Sequence, residues 1–156
     1  MKCRLIAAGT RLPDWVNSGF REYQKRLRGP LALELHEIAV ATRRAGENPG
    51  RAIEREGAAM LAALGKDDYV VALEITAKAM NTEQLSAWLA ERMRDGRSLA
   101  LLIGGPDGLS PQCRERADQS WSLSPLTLPH ALVRVVVAEQ IYRATSLLAG
   151  HPYHRA

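Results

Sequence analysis

Short apolar runs alternate with helix-period stripes along this chain. Residues 3–8 form an apolar run ending in Gly9, the pattern of a buried strand followed by a turn. Pro13 and Asp14 then open a helix whose apolar face carries Val16, Phe20, Tyr23 and Leu27, and Gly29 with Pro30 closes it. In residues 31–39 the alternation of Leu31, Leu33 and Leu35 with Ala32, Glu34 and His36 predicts a second strand with one buried side. A polar stretch containing Arg43 and Arg44 follows. Asn48 supplies an N-cap and Pro49 a first-turn proline for a helix whose expected buried stripe is Ile53, Met60, Leu61 and Leu64, ended by Gly65.

The same alternation continues to the C-terminus. Residues 69–73 are nearly all apolar, as in a parallel strand covered on both faces. Asn81 with Gln84 forms a capping-box pattern, Leu85, Trp88, Leu89 and Met93 supply that helix's core face, and Gly96 ends it. Residues 99–103 make another buried strand running into Gly104 and Gly105. A short polar helix is expected near 111–118, a last strand at SWSLS (120–124) and a final helix from about 130 to 149. This order predicts an α/β fold with a mainly parallel sheet flanked by helices, in one domain spanning residues 1–156.

The final helix departs from the one-stripe pattern. Leu132, Val133, Val135, Val136, Val137, Ile141, Ala144, Leu147 and Leu148 cover most of its circumference, which implies burial on several sides. A chain of 156 residues supplies little such cover by itself, so a homodimer is expected.

Composition narrows the class further. A domain of this size buries roughly 68–70% of its unfolded surface and needs no disulfide or structural metal to fold. Cys3 and Cys113 are far apart and neither lies in a CxxC pair, so both are expected to be reduced. The opening apolar run is too short for a signal peptide and no segment approaches a membrane span, which makes the cytoplasm the expected location. With 21 basic against 17 acidic residues, the field modestly favours a polyanionic partner.

Three segments carry candidate chemistry. LALLIGGPDGLS (99–110) joins a buried strand to glycines, which lets a ligand approach the backbone at the carboxyl edge of a sheet. It matches neither the dinucleotide fingerprint nor the P-loop. SLSPLTLPHALVRVVVAEQIYRA (122–144) places Arg134, Glu139 and Arg143 on an apolar helix, where charges are costly unless paired; an Arg to Glu pair across a dimer is the expected partnering of Glu139. The tail HPYHRA gathers His151, Tyr153 and His154. Pro152 interrupts the two histidines and no third ligand is evident, so no metal is expected.

Together, IGGPDGL at 103–109, LSPLTLPHALVRVVVAEQIYRA at 123–144 and HPYH at 151–154 resemble the bacterial 23S rRNA pseudouridine N3-methyltransferases. The resemblance extends over nearly the whole chain, including the Pro-Asp-Trp after the first strand and the Leu-Glu at 73 and 74 before Lys78; Ala77 stands where the family has glycine. It implies a SPOUT-class methyltransferase with a C-terminal trefoil knot, a rare topology that periodicity has no means of predicting. It also implies an S-adenosyl-L-methionine pocket lined by Leu73, Gly104, Gly105, Leu123, Ser124, Pro125, Leu126, Thr127 and Leu128. These positions fall at strand ends, where an open parallel sheet collects ligands.

By the same resemblance the methyl group passes directly to a base nitrogen in large-subunit rRNA within the ribosome. His154 is the candidate for positioning the base or removing its proton, and Tyr153 for stacking or hydrogen bonding to it. Arg143 is the candidate for holding a phosphate or the developing imidate; Arg134 shares that reading, with structural ion pairing as the alternative. Lys25, Arg26, Arg28, Arg43 and Arg44 are candidate phosphate contacts, solvated surface charge being the alternative for each. Two other functions fit the same fold: a non-catalytic RNA- or ribosome-binding dimer, and a methyltransferase acting on tRNA.

Overall fold

The computed structural model describes residues 1–43 and 45–155, His154 by its backbone alone. Strands β1 (Lys2–Ala8), β2 (Ala32–Ile38), β3 (Tyr69–Leu73), β4 (Leu99–Ile103) and β5 (Gln119–Trp121) alternate with helices α1 (Asp14–Arg26), α2 (Pro49–Ala62), α3 (Thr82–Asp95), α4 (Pro111–Arg116) and α5 (His130–Leu148). A short 3₁₀ turn, Pro152–Arg155, follows the last helix. The strands form one sheet in the order β2-β1-β4-β3-β5. Every pairing is parallel, so the predicted α/β class with its parallel sheet is what the chain adopts.

The period-two alternation of the strands separates two cores. One face sends Cys3, Leu5, Ala7, Val71, Leu99, Leu101 and Ile103 toward α1, α3 and α5. The other sends Ile6, Ala8, Val70, Ala72, Ala100 and Leu102 toward Met60 of α2 and Cys113 of α4. β4 lies at the centre of the sheet and all five of its residues are buried. Covered on both faces, it needs the unbroken apolar run seen in its sequence.

Local signals at the helix ends act as expected. Asn81 and Gln84 form a reciprocal capping box on α3, and Gly96 ends that helix at φ 80°. Asn48 caps α2 by accepting from the Gly50 N–H. The buried seam of α2 differs from the expected stripe: Ala52, Glu56, Gly57 and Met60 are buried, while Ile53, Leu61 and Leu64 are half-buried. Close packing on α4 selects small residues there. A Cβ at Gly57 would stand 2.1 Å from Ser110 Oγ, so the larger apolar side chains flank the contact.

β5 is shorter than the expected 120–124 strand. Ser122 makes one isolated bridge to Ala79, and its hydroxyl donates to the carbonyls of Ile75 and Ser124. Those bonds turn the chain out of the sheet. In α5, Val137, Ala138, Ile141 and Ala144 are fully buried against α1 and α3, whereas Leu132, Val135 and Val136 are half-buried and Leu148 is exposed. No helix among the described residues is long and apolar enough to cross a membrane.

Candidate active site

A cavity of about 480 Å³ opens where β3, β4 and β5 end, bordered by the first turn of α5. Leu73, Gly104, Gly105, Leu123, Ser124, Leu126, Thr127 and Leu128 all line it; Pro125 does not. Eight of the nine residues that the family resemblance implies thus border one cavity at the strand ends. Glu74, Ile75, Trp121, His130 and Val133 also form walls. His130 and Val133 lie inside the quoted 123–144 motif, but only the packing of α5 against the sheet turns them toward this space.

The loop shapes follow from local chemistry. After β4, the Gly108 N–H donates to the Gly105 carbonyl at 3.0 Å, and Gly108 takes φ 85°, a conformation that strains other residues. At Gly104 the constraint is close approach: a Cβ would stand 2.4 Å from the Gly108 carbonyl carbon. After β5, the Leu126 N–H donates to Ser124 Oγ at 2.9 Å and holds the 122–128 loop around the cavity. After β3, the Ala77 N–H donates to the Glu74 carbonyl at 3.2 Å. No described non-glycine residue has positive φ, so alanine at position 77 fits this turn without strain.

The walls are mostly apolar side chains broken by backbone amides and by Ser124 and Thr127. Ligand cavities commonly enclose roughly 300–1,000 Å³ with few polar groups. An adenine ring suits the apolar walls, and backbone groups beside a side-chain-free glycine suit an amino acid moiety. Glu74 adds a carboxylate whose Oε1 accepts from Arg114 Nε at 2.6 Å. The residues present therefore fit S-adenosylmethionine.

The other candidate residues stand elsewhere in the chain. Arg143 Nε donates to Glu139 Oε1 at 2.9 Å, and the Tyr153 hydroxyl donates to the same oxygen at 3.2 Å. The Arg143 guanidinium also lies 5.0 Å from the Tyr153 ring centroid, and the Tyr142 ring meets that of Tyr153 edge-on at 4.7 Å. Glu139 is thus paired within its own helix: four residues along a helix bring the two side chains together. The hydrogen bond to Glu139 raises the Arg143 pKa above its ordinary value. Burial, followed by a hydrogen bond with Tyr23, holds the Tyr153 phenol well above its usual 10.0.

From His130 at the cavity to Glu139 is roughly 13 Å along the helix axis, at 1.5 Å per residue. The tail docks at that far position. The side chain of His154 lies outside the described residues, and its backbone belongs to the docked turn.

Most of the candidate phosphate contacts have partners within the chain. Arg26 pairs with Glu22 and lies over the rings of Tyr23 and Tyr142. Arg28 Nε donates to the Lys25 carbonyl, and Lys25 is exposed. Arg43 binds Glu56 and Asp107. Arg44 lies outside the described residues. Arg134 is buried and bonded to Glu37, Ala8 and Gly9, which agrees with its structural reading.

Residues 1–154 match the family model described as predicted SPOUT methyltransferase. Over 156 residues, the whole of both chains, the sequence is 56% identical to the ribosomal RNA large subunit methyltransferase H of Alkalilimnicola ehrlichii. The proteins of the same name from Stenotrophomonas maltophilia and Xanthomonas oryzae pv. oryzae are 55% and 54% identical, again over the full length of both chains. Among solved structures, a methylase family protein from Neisseria gonorrhoeae superposes with TM-score 0.53 at 17% identity, covering 90% of this chain and 81% of that one.

Proposed function

The chain belongs to the SPOUT methyltransferase family, and on that premise we propose that it methylates N3 of a pseudouridine in a hairpin of 23S rRNA on the assembled ribosome. Family membership implies the C-terminal trefoil knot and S-adenosylmethionine as methyl donor. The observation that carries the reading is the cavity itself, in which loops from three strand ends meet the start of α5.

Gly104, Gly105 and the 122–128 loop hold the cofactor through backbone groups, and the apolar walls keep water from the reacting centre. When bound, S-adenosylmethionine supplies an electrophilic methyl group. His154 would take or orient the proton of the base N3, so that this nitrogen could act as the nucleophile. Tyr153 would hold the base by its ring or hydroxyl, and Arg143 would hold a phosphate or stabilise the developing imidate. Placing the reactants together can itself supply several kcal/mol.

In one protomer the docked tail is remote from the cavity. A homodimer resolves this by letting the tail of one copy complete the cavity of the other, with the half-exposed apolar positions of α5 providing the surface to bury. A ribosome modifier of this kind works in the cytoplasm.

Transfer of labelled methyl from S-adenosylmethionine to 70S ribosomes, compared with tRNA, tests the reading. Label on a single 23S nucleotide is expected. Cofactor binding without transfer to either RNA points to the non-catalytic dimer, and label on tRNA alone points to the other substrate.

A further inference from the structure

Glu56 is the buried charge for which the fold has least obvious need. It lies on α2 with 3% of its side chain exposed, where a carboxylate is costly without partners. Its Oε1 accepts from the Ala41 N–H at 2.9 Å and from Arg43 Nη1 at 2.8 Å. Oε2 is buried without a hydrogen-bond partner among the described residues. That oxygen faces Gly105, where a Cβ would stand 2.9 Å from it. The carboxylate therefore forms the floor beneath a residue that lines the cavity.

Arg43 extends from this floor to the loop tip. Its Nη2 and Nε donate to Asp107 Oδ2 at 2.7 and 2.9 Å, and Nη1 also donates to the Ala41 carbonyl at 2.8 Å. All three guanidinium nitrogens are thus engaged. Hydrogen bonding, first to Glu56 and then to Asp107, holds the Arg43 pKa above its ordinary value, so the cation persists at any working pH. Asp107 sits in the turn closed between Gly105 and Gly108. One cation and two carboxylates hold that turn from below and above.

We propose that Arg43, Glu56 and Asp107 are positioning residues: they clamp the 104–109 loop in the shape that receives the cofactor and couple it to the segment around Ala41. Arg43 then acts on cofactor affinity, not as an RNA phosphate contact. The proposal rests on the cavity being the S-adenosylmethionine site. By reciprocity, cofactor binding also steadies the 41–43 segment.

The test is a double-mutant cycle with Arg43→Ala and Asp107→Asn, read by calorimetry with S-adenosylmethionine and by the salt dependence of ribosome binding. Each single variant should weaken cofactor binding about tenfold, and the pair together no more than either alone, since interacting residues are non-additive. Asp107→Glu should recover most of the loss. The salt slope of ribosome binding should not change, and hydrogen exchange at 41–43 should slow when cofactor binds. Asp107 is 40% exposed on its side chain, so its variants separate loop shaping from loss of folding.

Unchanged cofactor affinity with a salt slope lower by about one would overturn the clamp and make Arg43 a phosphate contact. Additive losses would also overturn it. A native chain that binds no cofactor removes the site reading and the clamp together, whereas native binding with unaffected variants removes the clamp alone.

Discussion

Arg134 Nη1 donates to Glu37 Oε1 at 2.7 Å, joining the buried face of α5 to the end of β2. Arg134 is 1% exposed, and its Nη2 also donates to the carbonyls of Ala8 and Gly9 at 2.9 and 2.6 Å. A Cβ at Gly9 would meet this guanidinium at 3.1 Å and His130 Nε2 at 3.8 Å. One side chain therefore fixes α5 against two strand ends close to where His130 enters the cavity wall.

Removing Arg134 strands its partners. Arg134→Met leaves two buried carbonyls and a carboxylate unpaired, and breaking such a buried pair typically costs about 3–5 kcal/mol. Glu37 keeps 34% of its side chain in solvent, so the loss should fall near the lower end. Urea unfolding measures it; a loss below about 1 kcal/mol would contradict the structural role.

Gly104→Ala should disable the cavity while leaving the fold in place. The added methyl would approach the Gly108 backbone to 2.4 Å, so the loop must shift instead of a side chain turning aside. We expect S-adenosylmethionine affinity to fall at least tenfold, roughly 1.4 kcal/mol, with an unchanged circular dichroism spectrum. Native-like affinity would show that this loop does not border the cofactor.

Tyr153 gives the chain an alkaline signature. Because burial raises its pKa in the folded protein, the unfolded chain releases the phenolic proton first, at the ordinary 10.0. Its contribution to stability is therefore whole below about pH 10 and is lost as pH rises toward the folded value. Tyr153→Phe should flatten the decline of the urea midpoint above pH 10. Parallel declines in the two proteins would exclude this origin.

Cys3 should resist alkylation until the protein unfolds. It is fully buried, and desolvation pushes its thiol up to about 12 from 9.0. Since the thiolate is the reactive form, mass spectrometry at pH 8 should find Cys3 unmodified by iodoacetamide in native buffer and modified in urea. Rapid native labelling would place the residue outside the core.

His154→Ala should leave cofactor affinity intact and lower the methyl-transfer rate, with direct calorimetry and ribosome labelling measured on one preparation. Undiminished turnover would take the imidazole out of the proton-handling role.

Local sequence reasoning located much of the architecture and of the cavity. The capping box of Asn81 and Gln84 acts over one helical turn and was legible without any tertiary partner. Gly104 and Gly105 were legible because a buried strand that ends in small residues leaves backbone free for a ligand, whereas Leu73 and the 123–128 segment came from the family resemblance. Glu56 was not legible. A glutamate on a helix reads as solvent-facing unless the Arg43 guanidinium and the Ala41 amide arrive from the preceding loop.

The sequence by itself determined the alternation of strands and helices, the parallel sheet and the carboxyl-edge location of the cavity, because hydrophobic period and turn chemistry are short-range properties. Only the tertiary structure decided that Arg134 reaches Glu37, that Gly57 marks a close helix contact, that Glu139 holds both Arg143 and Tyr153, and that the tail docks away from its own cavity. Such pairings depend on how distant segments pack, and side-chain type alone does not choose the partner.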